Sequence, residues 1–239
     1  MKATATKTVR ELALENPSAT RVFENLGIDY CCGGHKSLDE ACATANVNVD
    51  DVLSRLEQAR AYGAATPEDW QKRSMTDLIQ HITSTHHVFV KEESPRLLNL
   101  IAKVVSAHGQ NHPELLQVQE TFSDLAQELA SHLMKEEQIL FPYLVNLEAA
   151  ANGNAATPSS CFGTVQNPIR MMFMEHDSAG DALRALREVT NNYALPADAC
   201  VSYSTLFNAL QEFEKDLHQH IHLENNILFP RAIAAEQAA

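Results

Sequence analysis

The segment His132-Leu-Met-Lys-Glu136-Glu-Gln-Ile-Leu-Phe-Pro142 returns 88 residues later as His220-Ile-His-Leu-Glu224-Asn-Asn-Ile-Leu-Phe-Pro230. The histidine, the glutamate and the proline keep their spacing in both segments. Self-similarity at a fixed distance indicates two copies of one structural unit.

The repeat extends backwards to a single histidine in each copy. His87 and His176 are 89 residues apart, and each stands upstream of its copy of the repeated segment. Residues 75–150 and 167–236 therefore look like two helical hairpins. Two such hairpins packed together have approximate two-fold symmetry, which brings equivalent side chains face to face.

The rest of the chain also has helical periodicity, interrupted by Gly-, Pro- and Asn-rich turns. No stretch shows the sustained alternation of apolar and polar residues that is typical of a β-strand. The expected helices are four short ones (8–15, 18–26, 37–45 and 49–61) and four long ones (75–107, 114–150, 167–190 and 197–236). This pattern predicts an all-α protein, with a small helical N-terminal domain (1–66) and an antiparallel four-helix bundle (67–239).

The repeated His-x-x-x-Glu spacing is suited to metal binding. Residues i and i+4 share one face of a helix, so His132 with Glu136, and His220 with Glu224, can bind one ion together. A carboxylate has two oxygens and can bridge two ions. With His87 and His176, the predicted ligand set is four imidazoles and two carboxylates around two ions.

Two alternatives bear on this site. Glu137 lies beside Glu136, but its counterpart in the second copy is Asn225, so we assign the ligand to Glu136. A single His-x-x-x-Glu pair is often only a weak surface ion pair, and the repeat argues against that interpretation. The donor set suits iron, zinc or manganese, and iron fits bridging carboxylates with neutral imidazoles best.

Charge and composition narrow the classes of partner. The formal net charge of -13 argues against binding to nucleic acid or to an anionic membrane surface. We read no secretory signal and no apolar run long enough for a membrane span. Five cysteines without a signal favour free thiols in a reducing, cytoplasmic setting.

At this point the motifs resemble a known family. The C-terminal part is similar to the hemerythrin-like four-helix bundle. Asp29-Tyr30-Cys31-Cys32-Gly33-Gly34 resembles the signature of the di-iron RIC proteins (repair of iron centres, ScdA-type). The resemblance implies a cytoplasmic protein that restores iron–sulfur clusters damaged by nitric oxide or peroxide. It also implies two non-haem irons with carboxylate bridges, with or without an oxo bridge.

The resemblance implies roles for further residues. Glu128 and Glu175 match acidic residues near the site in that family, although both can equally be exposed helix acids. Cys31 and Cys32 are expected to act as a thiol pair that receives iron, nitric oxide or a disulfide partner, with the N-terminal module docked over the bundle. The alternative is two small buried residues at a turn.

Three functions remain open at this stage. The main one is repair, in which the protein supplies iron to damaged or apo iron–sulfur proteins. The second is an enzyme that reduces nitric oxide or acts on peroxide. The third is a hemerythrin-like sensor of oxygen or nitric oxide. A monomer and a homodimer are both compatible with the sequence.

Two local features can also be predicted from the sequence. His222 is two positions from His220, so it should point about 160° away from it, and we expect it to face solvent. Pro142 and Pro230 are expected to kink or end their helices.

Overall fold

The computed structural model describes residues 5–61, 69–153, 155–156 and 158–238. These residues form helices, with one isolated antiparallel bridge between Thr8 and Ser37 and no strand among them. The all-helical fold class is confirmed. The expected domain boundary between residues 66 and 67 lies outside the described residues.

The N-terminal module consists of four short helices: α1 (Val9–Glu15), α2 (Ala19–Leu26), α3 (Leu38–Ala45) and α4 (Val49–Ala61). Ser37 forms a capping box at the start of α3, because Ser37 Oγ accepts from Glu40 N–H and the Glu40 carboxylate accepts from Ser37 N–H. Thr8 and Glu11 form a second one at α1. Phe23, Leu38 and other buried apolar residues give the module its own small core.

Four long helices form the bundle, and three of them contain a π-helical turn. The first comprises α5 (Met75–His81), a π turn (Ile82–His87) and α6 (Val88–His108). The second comprises α7 (Glu114–Lys135), a π turn (Glu136–Leu140) and α8 (Phe141–Ala151). The third is α9 (Gln166–Val189), which is α-helical throughout. The fourth comprises α10 (Val201–Leu223), a π turn (Glu224–Leu228) and α11 (Phe229–Ala238).

The two prolines do not end their helices. Pro142 and Pro230 are each the second residue after a π turn, where the backbone returns to α-helical hydrogen bonding. A residue without an N–H donor is tolerated near the start of an α-helical segment. Of the two outcomes expected for these prolines, a kink or a helix end, the helix end does not occur, and the chain continues helically to Ala151 and Ala238.

The apolar interior of the bundle divides into two clusters, and the predicted ligands lie between them. Along the first bundle helix, Leu78 and Ile82 belong to one cluster and Leu97 to the other, with His87 in between. Each of the other three bundle helices also has residues of one cluster before its predicted ligand and residues of the other cluster after it. The fold therefore encloses a polar layer within a packed interior.

The repeat also caps the bundle. Glu148 accepts hydrogen bonds from the N–H groups of Met75 and Thr76 at the start of α5. Glu236, 88 residues later, accepts from the N–H of Val165 and the hydroxyl of Thr164 just before α9, and from the hydroxyl of Tyr143 in α8. Each glutamate thus ties the end of its hairpin to the beginning of the same hairpin.

We expect Glu148→Ala and Glu236→Ala each to lower the free energy of unfolding by about 1–2 kcal/mol, as for loss of a helix cap. Burial acts to raise the pKa of Glu148. The hydrogen bonds from Thr76 and Met75 act in the opposite direction and outweigh burial, so the pKa is lowered overall. The pKa of Glu236 is lowered in the same way, against burial, by Thr164 and Val165. The contribution is therefore present at neutral pH and is lost as pH falls below the ordinary carboxyl range.

Urea denaturation of both variants and wild type at pH 7 and pH 4 measures this effect. Glu92→Ala, on the exposed surface of α6, is the matched control and should change little. An equal loss of stability at both pH values would contradict the capping role.

No described helix is both long and apolar enough to cross a membrane.

Candidate metal centre

The six predicted ligands meet in the middle of the bundle. All six side chains are buried, and Glu136 and Glu224 have no measurable exposure. Their ligand atoms form two groups that share both glutamates. We call the set with His87 and His220 the first position, and the set with His132 and His176 the second position.

The distances within each position suit a shared cation. The Nε2 atoms of His87 and His220 are 3.2 Å apart in the first position, and those of His132 and His176 are 3.1 Å apart in the second. Metal–nitrogen bonds of about 2.1 Å at octahedral or tetrahedral angles place two ligand atoms roughly 3.0–3.4 Å apart. The paired imidazoles are therefore spaced as ligands of one ion.

The two glutamates connect the positions. Glu224 Oε1 lies 3.0 Å from His220 Nε2, and Glu224 Oε2 lies 3.1 Å from His176 Nε2. Glu136 Oε2 lies 3.5 Å from His87 Nε2 and 3.4 Å from His132 Nε2. Each carboxylate thus contacts both positions, as a bridging ligand must.

Several buried oxygens of these glutamates lack a hydrogen bond. Both oxygens of Glu136 and Oε2 of Glu224 have no well-oriented donor among the described residues, although imidazole nitrogens are close. A buried carboxylate without partners is strongly unfavourable. Bound cations would compensate this cost, so the donor set fits a metal centre.

Burial prepares these groups for metal binding. It lowers the pKa of His87 to about 4, assisted by the neighbouring His220. It lowers the pKa of His132 to about 4 in the same way, with His176 as the neighbour. Burial and the charge of Glu224 raise the pKa of Glu136. The imidazoles of His87 and His132 are thus neutral at neutral pH, as ligands must be, and a cation would favour the ionised carboxylates.

Three of the four histidines are oriented through Nδ1. His87 Nδ1 lies 2.8 Å from Glu137 Oε1, and His132 Nδ1 lies 2.7 Å from Glu175 Oε2. His176 Nδ1 lies 2.7 Å from Asn225 Oδ1. Such partners fix the ring so that Nε2 faces the ion.

Sequence reasoning missed the roles of Glu137 and Asn225. The available signal was that both follow the glutamate of the repeat, one in each copy.

The two acidic residues suggested by the family resemblance occupy different places. Glu175 contacts His132 Nδ1 and the ammonium group of Lys135. Glu128 is exposed, accepts from Ser178 Oγ at 3.1 Å, and contacts none of the six predicted ligands. Glu128 and Glu175 do line one surface cavity of about 610 Å³.

The Cys31–Cys32 pair lies against the bundle. Cys32 Sγ is 3.4 Å from the backbone oxygen of His176, and a Cβ added at Gly180 would lie 3.5 Å from the same sulfur. Cys31 is buried, with its sulfur 3.9 Å from that of Cys32. Both are free thiols. The interaction with Cys32, together with burial, raises the pKa of the Cys31 thiol.

Asp29 and Tyr30 hold this segment in place. Asp29 Oδ1 accepts from the N–H groups of Cys31 and Cys32. The backbone oxygen of Tyr30 accepts from Asn226 Nδ2 at 3.1 Å, and Asn226 belongs to the π turn that follows α10. The N-terminal module is therefore bonded to a segment that also supplies Glu224.

His222 is buried, so the expectation that it faces solvent was wrong. Its ring packs 5.3 Å from that of Tyr30, and its Nδ1 lies 2.9 Å from Asn226 Nδ2. Burial lowers its pKa to about 4. His222 does point away from His220, but the N-terminal module covers that side of the helix.

The buried layer of four histidines and two glutamates in a four-helix bundle defines a metal-binding protein of the hemerythrin type. Comparison with family models agrees. Residues 77–232 match the model described as "Hemerythrin HHE cation binding domain". Residues 5–60 match ScdA_N, described as "Domain of Unknown function (DUF542)".

Two relatives extend this result over nearly the whole chain. A "Probable iron-sulfur cluster repair protein" of Haemophilus influenzae is 39% identical over 232 residues, covering 96% of this chain and 97% of that protein. "Iron-sulfur cluster repair protein YtfE" of Salmonella schwarzengrund is 36% identical over 228 residues, covering 95% and 96%. The chain belongs to this family of iron–sulfur cluster repair proteins with a hemerythrin-type cation-binding domain.

Proposed function

We propose that this chain is a di-iron protein that repairs iron–sulfur clusters by supplying iron. The observation that carries the proposal is the pair of histidine positions joined by Glu136 and Glu224. The names of the relatives support repair over a nitric oxide reductase or a gas sensor.

The donor set supports iron as the metal. Imidazole and carboxylate ligands suit iron, and the six groups contain no thiolate of the kind that marks structural zinc sites. Four imidazoles and two shared carboxylates leave coordination positions open at both ions. Iron bound there would supply an exchangeable ferrous ion, and the histidines and glutamates of this chain would hold it until a recipient takes it.

The recipients in this proposal are iron–sulfur proteins damaged by nitric oxide or oxidants in the cytoplasm. The net charge of -13 suits recipients with a basic surface near their damaged cluster. The docked N-terminal module supports a role for Cys31 and Cys32 at the bundle surface, because Cys32 contacts the backbone of His176. Glu175 is proposed as a positioning residue, since it contacts His132, and Glu128 as a residue of the neighbouring surface cavity.

The test is anaerobic transfer of iron. The iron-loaded chain is mixed with the apo form of a [4Fe–4S] enzyme, with sulfide and a thiol reductant, and cluster absorbance and recovered enzyme activity are followed. We expect restoration by the iron-loaded wild type and none by iron-loaded Glu224→Ala after desalting. Failure to restore the cluster, combined with sustained nitrous oxide production from nitric oxide, would instead favour the reductase.

A further inference from the structure

The residues around the ligands differ between the two copies of the repeat. Glu137 and Asn225 are equivalent, and they contact the equivalent histidines His87 and His176. His86 and Glu175 are also equivalent, because each precedes its copy of that histidine. Only Glu175 acts as an acceptor for the histidine on the facing helix.

Both histidines of the second position have a partner at Nδ1. Glu175 contacts His132 and is itself bound by Lys135. Asn225 contacts His176 and is buried. The two imidazole rings of the second position are therefore each fixed by an acceptor of its own.

The first position has only one such partner. Glu137 contacts His87 and is bound by Lys91. His220 Nδ1 is buried and has no acceptor among the described residues. His86 occupies the place where Glu175 stands in the other copy. Its ring is parallel to that of His220, with centroids 5.7 Å apart, and offers no acceptor there.

The reason lies in the side chain of His86 itself. Its Nδ1 is 2.9 Å from Asp216 Oδ1, so that nitrogen is engaged by Asp216 and does not serve as an acceptor for the Nδ1 of His220. Among the described residues, His220 Nδ1 therefore has no acceptor that would orient its ring, although the His86 side chain lies directly beside that ring.

From this asymmetry we propose that the two metal positions are unequal, and that the ion held by His87 and His220 is the one delivered. This inference rests on the proposed function, because it states which ion leaves. Loss of an outer hydrogen-bond partner typically weakens metal affinity by about 10- to 100-fold. Residue 86 sets this difference by withholding an acceptor from His220, and Asn225 and Glu175 are the positioning residues that retain the second ion.

The test is the kinetics of iron removal from the anaerobic di-ferrous chain by excess ferrozine, a ferrous chelator. Wild type should release iron in two phases of about equal amplitude, with rates about 10-fold or more apart. Asn225→Leu should accelerate the slow phase towards the fast one. A single phase in wild type, or acceleration of only the fast phase by Asn225→Leu, would overturn the proposal.

A matched pair of variants at residue 86 assigns the fast phase. His86→Gln gives residue 86 an acceptor that reaches towards His220 and should slow the fast phase by about 10-fold. His86→Leu loses the same contact with Asp216 but supplies no acceptor, so it should not slow that phase. Equal rates in these two variants would contradict the assignment of the fast phase to the first position.

Mössbauer spectroscopy gives an independent readout. Apo protein supplied with one equivalent of ⁵⁷Fe(II) should fill mainly the second position, and the second equivalent should add a different quadrupole doublet. In His86→Gln the two doublets should grow more nearly together. Identical filling in wild type would overturn the inequality. If wild type releases iron in one phase and still restores an apo cluster, the inequality of the two positions is contradicted and the proposed function is not. If release is biphasic but no cluster is restored, the proposed function is contradicted and the inequality is not.

Discussion

Glu224→Ala is expected to leave the chain with well under one metal ion, compared with about two in wild type, because both proposed positions share the Glu224 carboxylate. Its Oε1 lies beside His220 and its Oε2 beside His176, so its removal takes a ligand from each position. Glu136→Ala should have the same effect, since Glu136 Oε2 lies near one histidine of each position. Metal analysis after anaerobic iron loading and desalting measures the loss.

Glu137→Gln is the matched control for this pair. Glu137 is adjacent in sequence, but His87, at Nδ1, is the predicted ligand that it contacts, and its side chain is 30% exposed, whereas that of Glu136 is completely buried. The amide oxygen of glutamine can still accept from the imidazole. Retention of both ions by Glu137→Gln is therefore expected, and two ions with unchanged spectra in Glu136→Ala or Glu224→Ala would contradict the bridging assignment.

The second large effect is expected at Gly180, where α9 passes beneath the Cys31–Cys32 segment. A Cβ at this position would be 3.5 Å from Cys32 Sγ, which is ordinary contact, and the larger side chain of leucine would place further carbon atoms next to the sulfur. Gly180→Leu should therefore displace the segment at a cost on the order of 1–3 kcal/mol, which corresponds to about 5- to 150-fold more frequent opening.

Alkylation of Cys31 measures this opening, because buried thiols react slowly. Fragment-ion mass spectrometry distinguishes the label on Cys31 from the label on Cys32. In Gly180→Leu the alkylation rate of Cys31 should rise by about 5- to 150-fold, in step with the more frequent opening. Gly180→Ala is the control and should react like wild type. An unchanged Cys31 rate in Gly180→Leu would mean that the segment does not depend on its contact with α9.

The helices and the composition of the candidate site could be predicted because the repeat encodes both. The 88-residue spacing makes His132 equivalent to His220 and Glu136 equivalent to Glu224. Helical periodicity then places the histidine and the glutamate of each copy on one face of their helix. The bundle then follows, since two amphipathic hairpins must bury their apolar faces against each other.

The remaining features depend on contacts between distant residues. The burial of His222 is set by Tyr30 from another module, which no periodicity within α10 reveals. The π turn that begins at Glu136 gives no sequence signal distinct from an ordinary helix, although such turns often occur at functional sites. The orientation of His86 towards Asp216 is likewise decided by a residue 130 positions away.

Metal analysis of the anaerobically purified chain, combined with Mössbauer spectroscopy, tests the central claim most directly. The proposed centre predicts about two irons per chain, magnetically coupled through shared carboxylates. Stoichiometric zinc, or a correctly folded chain that binds no iron, would contradict it.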